Sequence, residues 1–184
     1  MDEYYNFFKR LIKKINKALE LDDKNEYIFE ICGSYRREKI ESNDIDVLIS
    51  KKDVFNGDIK LNHLERIVNK LKSNLKNNNN KQLLVDSMTD KKIKTKYMGF
   101  SKLLDYKIRR IDIRFIPYDS YYSGLLYFTG SGEFNKLMRR NAIEYGYKLS
   151  EYGLFDRDGK MIPVKSERDI FKLLDMEYKP PRLR

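Results

Sequence analysis

Asp44 and Asp46 flank one isoleucine, and Asp112 stands later in the chain inside the alternating run Ile108–Ile116. On a strand, side chains at i and i+2 share a face. Asp44 and Asp46 therefore point one way, while Ile45, Val47 and Ile49 point the other. By the same alternation Arg110, Asp112 and Arg114 lie opposite Ile111, Ile113 and Phe115. If the two strands are neighbours, three carboxylates converge, and they repel one another unless a cation sits between them. Mg²⁺ suits such a place, because it takes hard oxygen ligands and keeps positions open for water and phosphate. Two ions about 3.5–4 Å apart would serve an in-line displacement at phosphorus. For an isolated Asp-x-Asp, ordinary solvated side chains on an open sheet face are the simpler reading.

The upstream residues shift that balance. Gly33-Ser34 follows the β-prone run Tyr27–Cys32, and Tyr35 to Glu38 could open a helix. A small-residue turn at a helix start presents free backbone N–H groups to an anion. Ser34 adds a hydroxyl, and Arg36 and Arg37 add guanidinium forks that match phosphate geometry. Alone, this is also a plain tight turn with a basic surface. The order Gly-Ser, then Asp-x-Asp, then a third strand aspartate is a much sharper pattern.

The elements that would hold these residues are legible in outline. Residues 4–19 carry Phe8, Leu11, Ile12, Ile15 and Leu19 at helical spacing, with Asp2 as N-cap; Lys9, Lys13 and Lys17 line the opposite side. Ile45–Ile49, Leu83–Val85, part of Ile93–Phe100 and Ile108–Ile116 read as strands. Leu61–Leu75 reads as an amphipathic helix, and Asn77 to Asn80 as a loop. After Pro117 the pattern turns mostly helical: residues 121–128, 133–145 and a last helix near 167–174, with short strands between and an extended tail from Lys179 to Arg184. The expectation is an α+β fold: a catalytic lobe over 1–117 with a mixed or antiparallel sheet and flanking helices, then a small helical subdomain over 118–184.

Composition bounds the class. The 184 residues include 38 Lys and Arg against 28 Asp and Glu, a net charge of +10 that favours a polyanionic partner. No apolar run reaches membrane-spanning length, and the first residues do not resemble a signal peptide. The single cysteine, Cys32, suits a reducing compartment and reads as packing. His63 has no second His or Cys nearby, which disfavours zinc. Many tyrosines stand among basic residues, where they could stack on bases or pack in the core.

The segments Gly33-Ser34-Tyr35-Arg36-Arg37 through Asp44-Ile45-Asp46-Val47-Leu48 resemble the palm of family X DNA polymerases, typified by DNA polymerase beta. Thr95-Lys96-Tyr97-Met98-Gly99 and Arg109 through Pro117 continue the likeness in order. Leu126 to Ser131, Phe134-Asn135-Lys136 and Met138-Arg139 resemble the family's nucleotide-binding helix, and the likeness runs on through Ser166–Phe171.

The resemblance implies a nucleotidyltransferase palm with a thumb-like C-terminal subdomain. It implies that Asp44, Asp46 and Asp112 hold two Mg²⁺ ions, with Mn²⁺ as a substitute, and act on a primer 3′-hydroxyl. Gly33, Ser34, Arg37, Asn43, Tyr127, Phe128, Gly130 and Asn135 would bind a deoxynucleoside triphosphate. Lys96, Arg110, Arg114, Lys136 and Arg139 would meet gapped or primer-template DNA. Asn43 replaces a glycine usual in the beta enzyme, and Gly132 an aspartate. About thirty residues precede Gly33, so the expectation is a palm and thumb without the family's lyase and helix-hairpin-helix domains. The likeness is therefore to the minimal polymerases of some large DNA viruses.

The function implied is short-gap filling in base excision repair, by an intracellular monomer in a cytoplasmic viral factory or the nucleus, with a DNA ligase as partner and no membrane. Template-independent or RNA-directed transfer keeps the same chemistry, and an inactive nucleic-acid-binding module would have lost a carboxylate. Residues 91–114 hold nine Lys or Arg against two Asp. That stretch and the lysine stripe of the first helix are candidates to replace the missing DNA grip, the stripe being equally readable as a solvated face.

Overall fold

A computed structural model of the chain describes residues 1–57, 61–73, 83–89, 93–103 and 106–184. Leu75, the asparagine run, Lys91 and Lys92 lie outside the described residues.

A five-stranded sheet runs in the order β1-β2-β5-β4-β3. Its strands are β1 (Tyr27–Ile31), β2 (Asp44–Lys51), β3 (Leu84–Ser87), β4 (Lys96–Ser101) and β5 (Arg109–Phe115). β2 and β5 are parallel, and the other pairs are antiparallel. The sheet is thus mixed, as expected. Helices α1 (Asp2–Ala18) and α3 (His63–Ser73) cover its rear face. There Tyr4, Phe8, Leu11, Leu64, Ile67 and Leu71 pack with Ile45, Val47, Ile49, Ile111 and Ile113. Asp2 does not cap α1: Met1 holds that position, and the Asp2 carboxylate accepts the Tyr35 hydroxyl at 3.0 Å. α3 starts two residues later than the apolar pattern indicates, because the Asn62 side chain accepts the Glu65 N–H at 3.0 Å. His63 is structural, stacked 4.8 Å from the Phe115 ring and bonded to the Tyr27 hydroxyl at 2.7 Å.

Helix α4 (Tyr121–Thr129) lies on the front face and belongs to two cores. Tyr121 and Leu125 pack on Cys32, Leu48 and Ile116 of the sheet. Leu126 faces the other way, into Phe134, Met138, Leu154, Ile170 and Phe171. That second core joins α5 (Gly132–Glu144), α6 (Glu167–Leu173) and a small antiparallel sheet of β6 (Lys148–Ser150), β7 (Gly153–Phe155) and β8 (Met161–Ile162). α5 and α6 begin as their sequences dictate: the Ser131 hydroxyl accepts the Phe134 N–H, and the Ser166 hydroxyl accepts the Asp169 N–H. Among the described residues no helix is long and apolar enough to cross a membrane.

The C-terminal tail departs from the extended form expected of it. Pro181–Leu183 form a 3₁₀ turn that delivers Arg184 into the second core. The Arg184 guanidinium meets the Glu167 carboxylate at 2.6 Å and lies within 6 Å of the Phe134, Phe171 and Tyr178 ring centres. An arginine with aromatic walls and a carboxylate partner stabilises a tail that its proline-rich sequence alone would leave in solvent.

Candidate active site

Parallel pairing of β2 with β5 sets Asp44 against Arg110 and Asp46 against Asp112. The neighbour relation on which three carboxylates depend is therefore present. The Arg110 guanidinium binds Asp44 and lies 3.6 Å from Asp112, bridging the two. Oδ1 of Asp112 is buried with no hydrogen-bond partner. Burial, with Asp44 and Asp112 as like-charged neighbours, pushes the Asp46 carboxyl up to about 6, against the pull of Arg110 and Arg37.

Among the described residues no three His, Cys, Asp or Glu side chains form a closed ligand cluster. The positive charge beside Asp44 and Asp112 is instead the Arg110 guanidinium. The donor set still fits a hard divalent cation. All three groups are carboxylates, one oxygen of Asp112 has nothing to bond, and the neighbours of Asp46 oppose its charge.

Helix α2 (Gly33–Arg36) sits directly beside these carboxylates. Gly33 has a φ of +58°, and a Cβ there would overlap the Asp46 carboxylate. Only glycine permits that approach. The Ser34 hydroxyl donates to Ser42 at 2.7 Å, and the Ser42 hydroxyl donates to the Asp44 carbonyl at 2.6 Å. This relay ties the small-residue turn to the start of β2. Ser42 escaped sequence reasoning, although a hydroxyl two residues before Asp44 was a visible signal; Glu41, also in the cleft, was missed too.

The two adjacent arginines part company. Arg37 faces the cleft, donates to the Thr129 carbonyl and leaves its buried Nε without a partner. Arg36, read with it as phosphate-facing charge, turns instead to the Thr129 hydroxyl at 2.6 Å and to both Glu167 oxygens at 3.0 and 2.7 Å. Burial pushes the Glu167 carboxyl upward, but its bonds to Arg36 and Arg184 outweigh that and hold it below the usual range. No local pattern announced this buried clasp, since Arg36 and Glu167 are 131 residues apart.

A cleft of about 440 Å³ opens over Gly33, Ser34, Arg37, Asn43, Asp44 and Asp46 on one side. Tyr127, Phe128, Gly130, Gly132 and Asn135 line the other. All eight residues expected to bind a nucleotide thus share one cavity. Asn135 donates to the Tyr127 carbonyl at 2.8 Å, and the Tyr127 and Phe128 rings stand edge-on, 5.1 Å apart.

The five residues expected to meet DNA form two groups. Lys96 lies opposite Arg114 in the sheet register, on the face that carries Asp112 and Arg110, and the Arg114 guanidinium sits 5.6 Å from the Phe128 ring. Lys136 and Arg139 lie on α5. Lys136 pairs with Glu133 at 2.7 Å, while Arg139 rests 5.0 Å from the Tyr127 ring and 3.7 Å from Glu151.

Comparison with known proteins agrees with this architecture. Residues 5–118 match the DNA polymerase beta palm and residues 124–184 the DNA polymerase beta thumb. DNA polymerase lambda of Rattus norvegicus is 33% identical over 166 residues, covering 82% of this chain and 27% of that protein. DNA polymerase IV of Saccharomyces cerevisiae is 34% identical over 88 residues, covering 48% of this chain and 15% of the relative. DNA nucleotidylexotransferase of Xenopus laevis is 27% identical over 180 residues, covering 84% and 36%. The chain thus spans only a minor part of the length of these relatives. With palm and thumb matched in order over nearly its whole length, the chain belongs to the DNA polymerase beta family, family X.

Proposed function

We propose that the chain is a DNA-directed DNA polymerase that fills short gaps by transferring a deoxynucleotide to a primer 3′-hydroxyl. The observation that carries this reading is the register of β2 on β5, which sets Asp46 opposite Asp112 at the edge of a cleft floored by Gly33 and Ser34. Asp44, Asp46 and Asp112 would hold divalent metal, Mg²⁺ or Mn²⁺, which when bound supplies charge to the triphosphate and acidity to the attacking hydroxyl. Arg37 and the turn at Gly33-Ser34 would hold the outer phosphates. Asp112 would draw the proton from the primer hydroxyl, and Arg110 would leave Asp44 to meet the primer end. Tyr127 and Phe128 would bracket the sugar. Asn135 and Arg139 would read the new pair and the template once released from the Tyr127 carbonyl and Glu151. A repair role inside the cell, as a monomer that hands a nick to a ligase, completes the proposal.

A second reading, template-independent addition, draws on the relative named DNA nucleotidylexotransferase. Both are tested by extending a one-nucleotide-gapped duplex, a blunt primer and an RNA primer, each with Mg²⁺ or Mn²⁺. Gap filling that follows the template base is expected. Extension that ignores the template base favours the second reading, and no incorporation on any substrate overturns both.

A further inference from the structure

Strand β4 breaks the alternation that its neighbour β5 obeys on the front face. Its rear-facing residues Tyr97, Gly99 and Ser101 are buried, so the alternate positions should be polar. Lys96 complies. Met98 and Phe100 do not, and Phe100 keeps 37% of its surface in solvent. An exposed large apolar side chain in the middle of a charged face is the informative departure.

Its place explains it. Met98 lies opposite Asp112 in the register, and Phe100 opposite Arg110. Directly paired residues of neighbouring strands stand about 5 Å apart and diagonal ones about 7–8 Å, within the span of a single nucleotide. Lys96 at the start of β4 and Arg110 and Arg114 on β5 place positive charge beside this apolar strip, while Asp86 of β3 stands opposite Phe100 on its other side. The nucleotide cleft opens on the β2 side of Asp112, so a hydroxyl brought to Asp112 from the other side lays its sugar and base across β4. We propose that Phe100, with Met98 beside it, is a primer-binding residue that seats the base and sugar of the terminal primer nucleotide and so aligns its 3′-hydroxyl on Asp112. This inference rests on the polymerase reading above.

The test is equilibrium binding of a gapped duplex by the intact chain, read by fluorescence anisotropy, alongside single-nucleotide extension. Loss of the ring's apolar contact with base edge and sugar predicts that Phe100→Ala weakens binding about tenfold and raises the primer KM alike, with the deoxynucleotide KM unchanged. Phe100→Trp is expected to restore both, which separates lost apolar contact from lost folding. The second arm replaces the terminal primer nucleotide with an abasic one that keeps its 3′-hydroxyl. Wild type should weaken to the level of Phe100→Ala, and the variant should lose nothing further. Equal binding of the normal end by wild type and Phe100→Ala overturns the proposal. So does an equal further loss by both proteins on the abasic end. The binding arm needs no catalysis, so a chain that extends no primer would sink the polymerase reading while this one is still decided.

Discussion

The same two strands build both faces of the sheet, and a one-residue step separates opposite purposes. On the rear, Ile45, Val47, Ile49, Ile111, Ile113 and Phe115 are almost wholly buried under α1 and α3. On the front, Asp44, Asp46, Arg110, Asp112 and Arg114 keep contact with solvent and with one another. Like charges placed directly across a strand pair destabilise it, yet Asp46 faces Asp112. The rear core supplies the stability that holds this arrangement, and the guanidiniums of Arg110 and Arg37 temper it. Around the carboxylates, stability and chemistry are thus split between the faces of one sheet, while farther along the front α4 packs on Leu48. Substitutions on the two faces should fail in different ways.

The largest effect belongs to the front. Asp112→Ala is expected to lower single-nucleotide incorporation by about 10³-fold or more while the melting temperature holds or rises, because a buried unpaired oxygen is removed. Retained incorporation would take Asp112 out of the mechanism. The rear counterpart is Leu64→Ala, a fully buried side chain. It should cost about 2–5 kcal/mol in denaturant unfolding, yet leave the rate per folded molecule unchanged. Loss of that rate without loss of stability would collapse the distinction between the faces.

A smaller effect comes from Asp46. Its folded value of about 6 stands above the unfolded carboxylate value of about 3.9. A carboxyl raised in the folded state binds its proton more tightly there, so its contribution is fully present below about pH 3.9 and lost as pH rises through about 6. In chelator, wild type should lose on the order of 1–2 kcal/mol relative to Asp46→Asn between pH 4 and 7. Saturating Mg²⁺ should shrink that loss, since metal binds the ionised carboxylate. A pH-independent difference between the two proteins would show that Asp46 titrates normally.

The period-2 pattern exposed the faces of β2 and β5, because alternation is local and each strand buries one side. It could not supply their adjacency. Asp44 and Arg110 are 66 residues apart, and parallel neighbours need a long crossover between them. The Gly33 approach to Asp46 was legible as a residue type, but not as the specific overlap that forbids a side chain. Arg36 and Arg37 look equivalent in sequence, and only the distant Glu167 and Thr129 separate them. The tail failed for the same reason: prolines promise extension, while Arg184 finds aromatic walls and a carboxylate made by elements far from it in sequence.

The smallest expected effect concerns the lysine stripe. Lys9, Lys13 and Lys17 are exposed on α1, whose inner side packs on the rear of the sheet. A helix is about 10 Å across, so the stripe and the front carboxylates are separated by a helix as well as the sheet. That exceeds the Debye length of about 8 Å at physiological salt, and a duplex engaged at Asp112 would have to wrap the sheet edge to touch it. Reversing all three to Glu should therefore leave the Kd for gapped DNA within about twofold at physiological salt. The salt dependence is the stricter readout. Three phosphate contacts would steepen log K against log salt by about 2.7, and their loss would flatten it equally. No such flattening is expected here, whereas Lys96→Glu on the front face should flatten the slope by about 1. If instead the stripe variant flattens the slope and Lys96→Glu does not, DNA runs over the rear of the molecule, and the division of labour between the two faces is wrong.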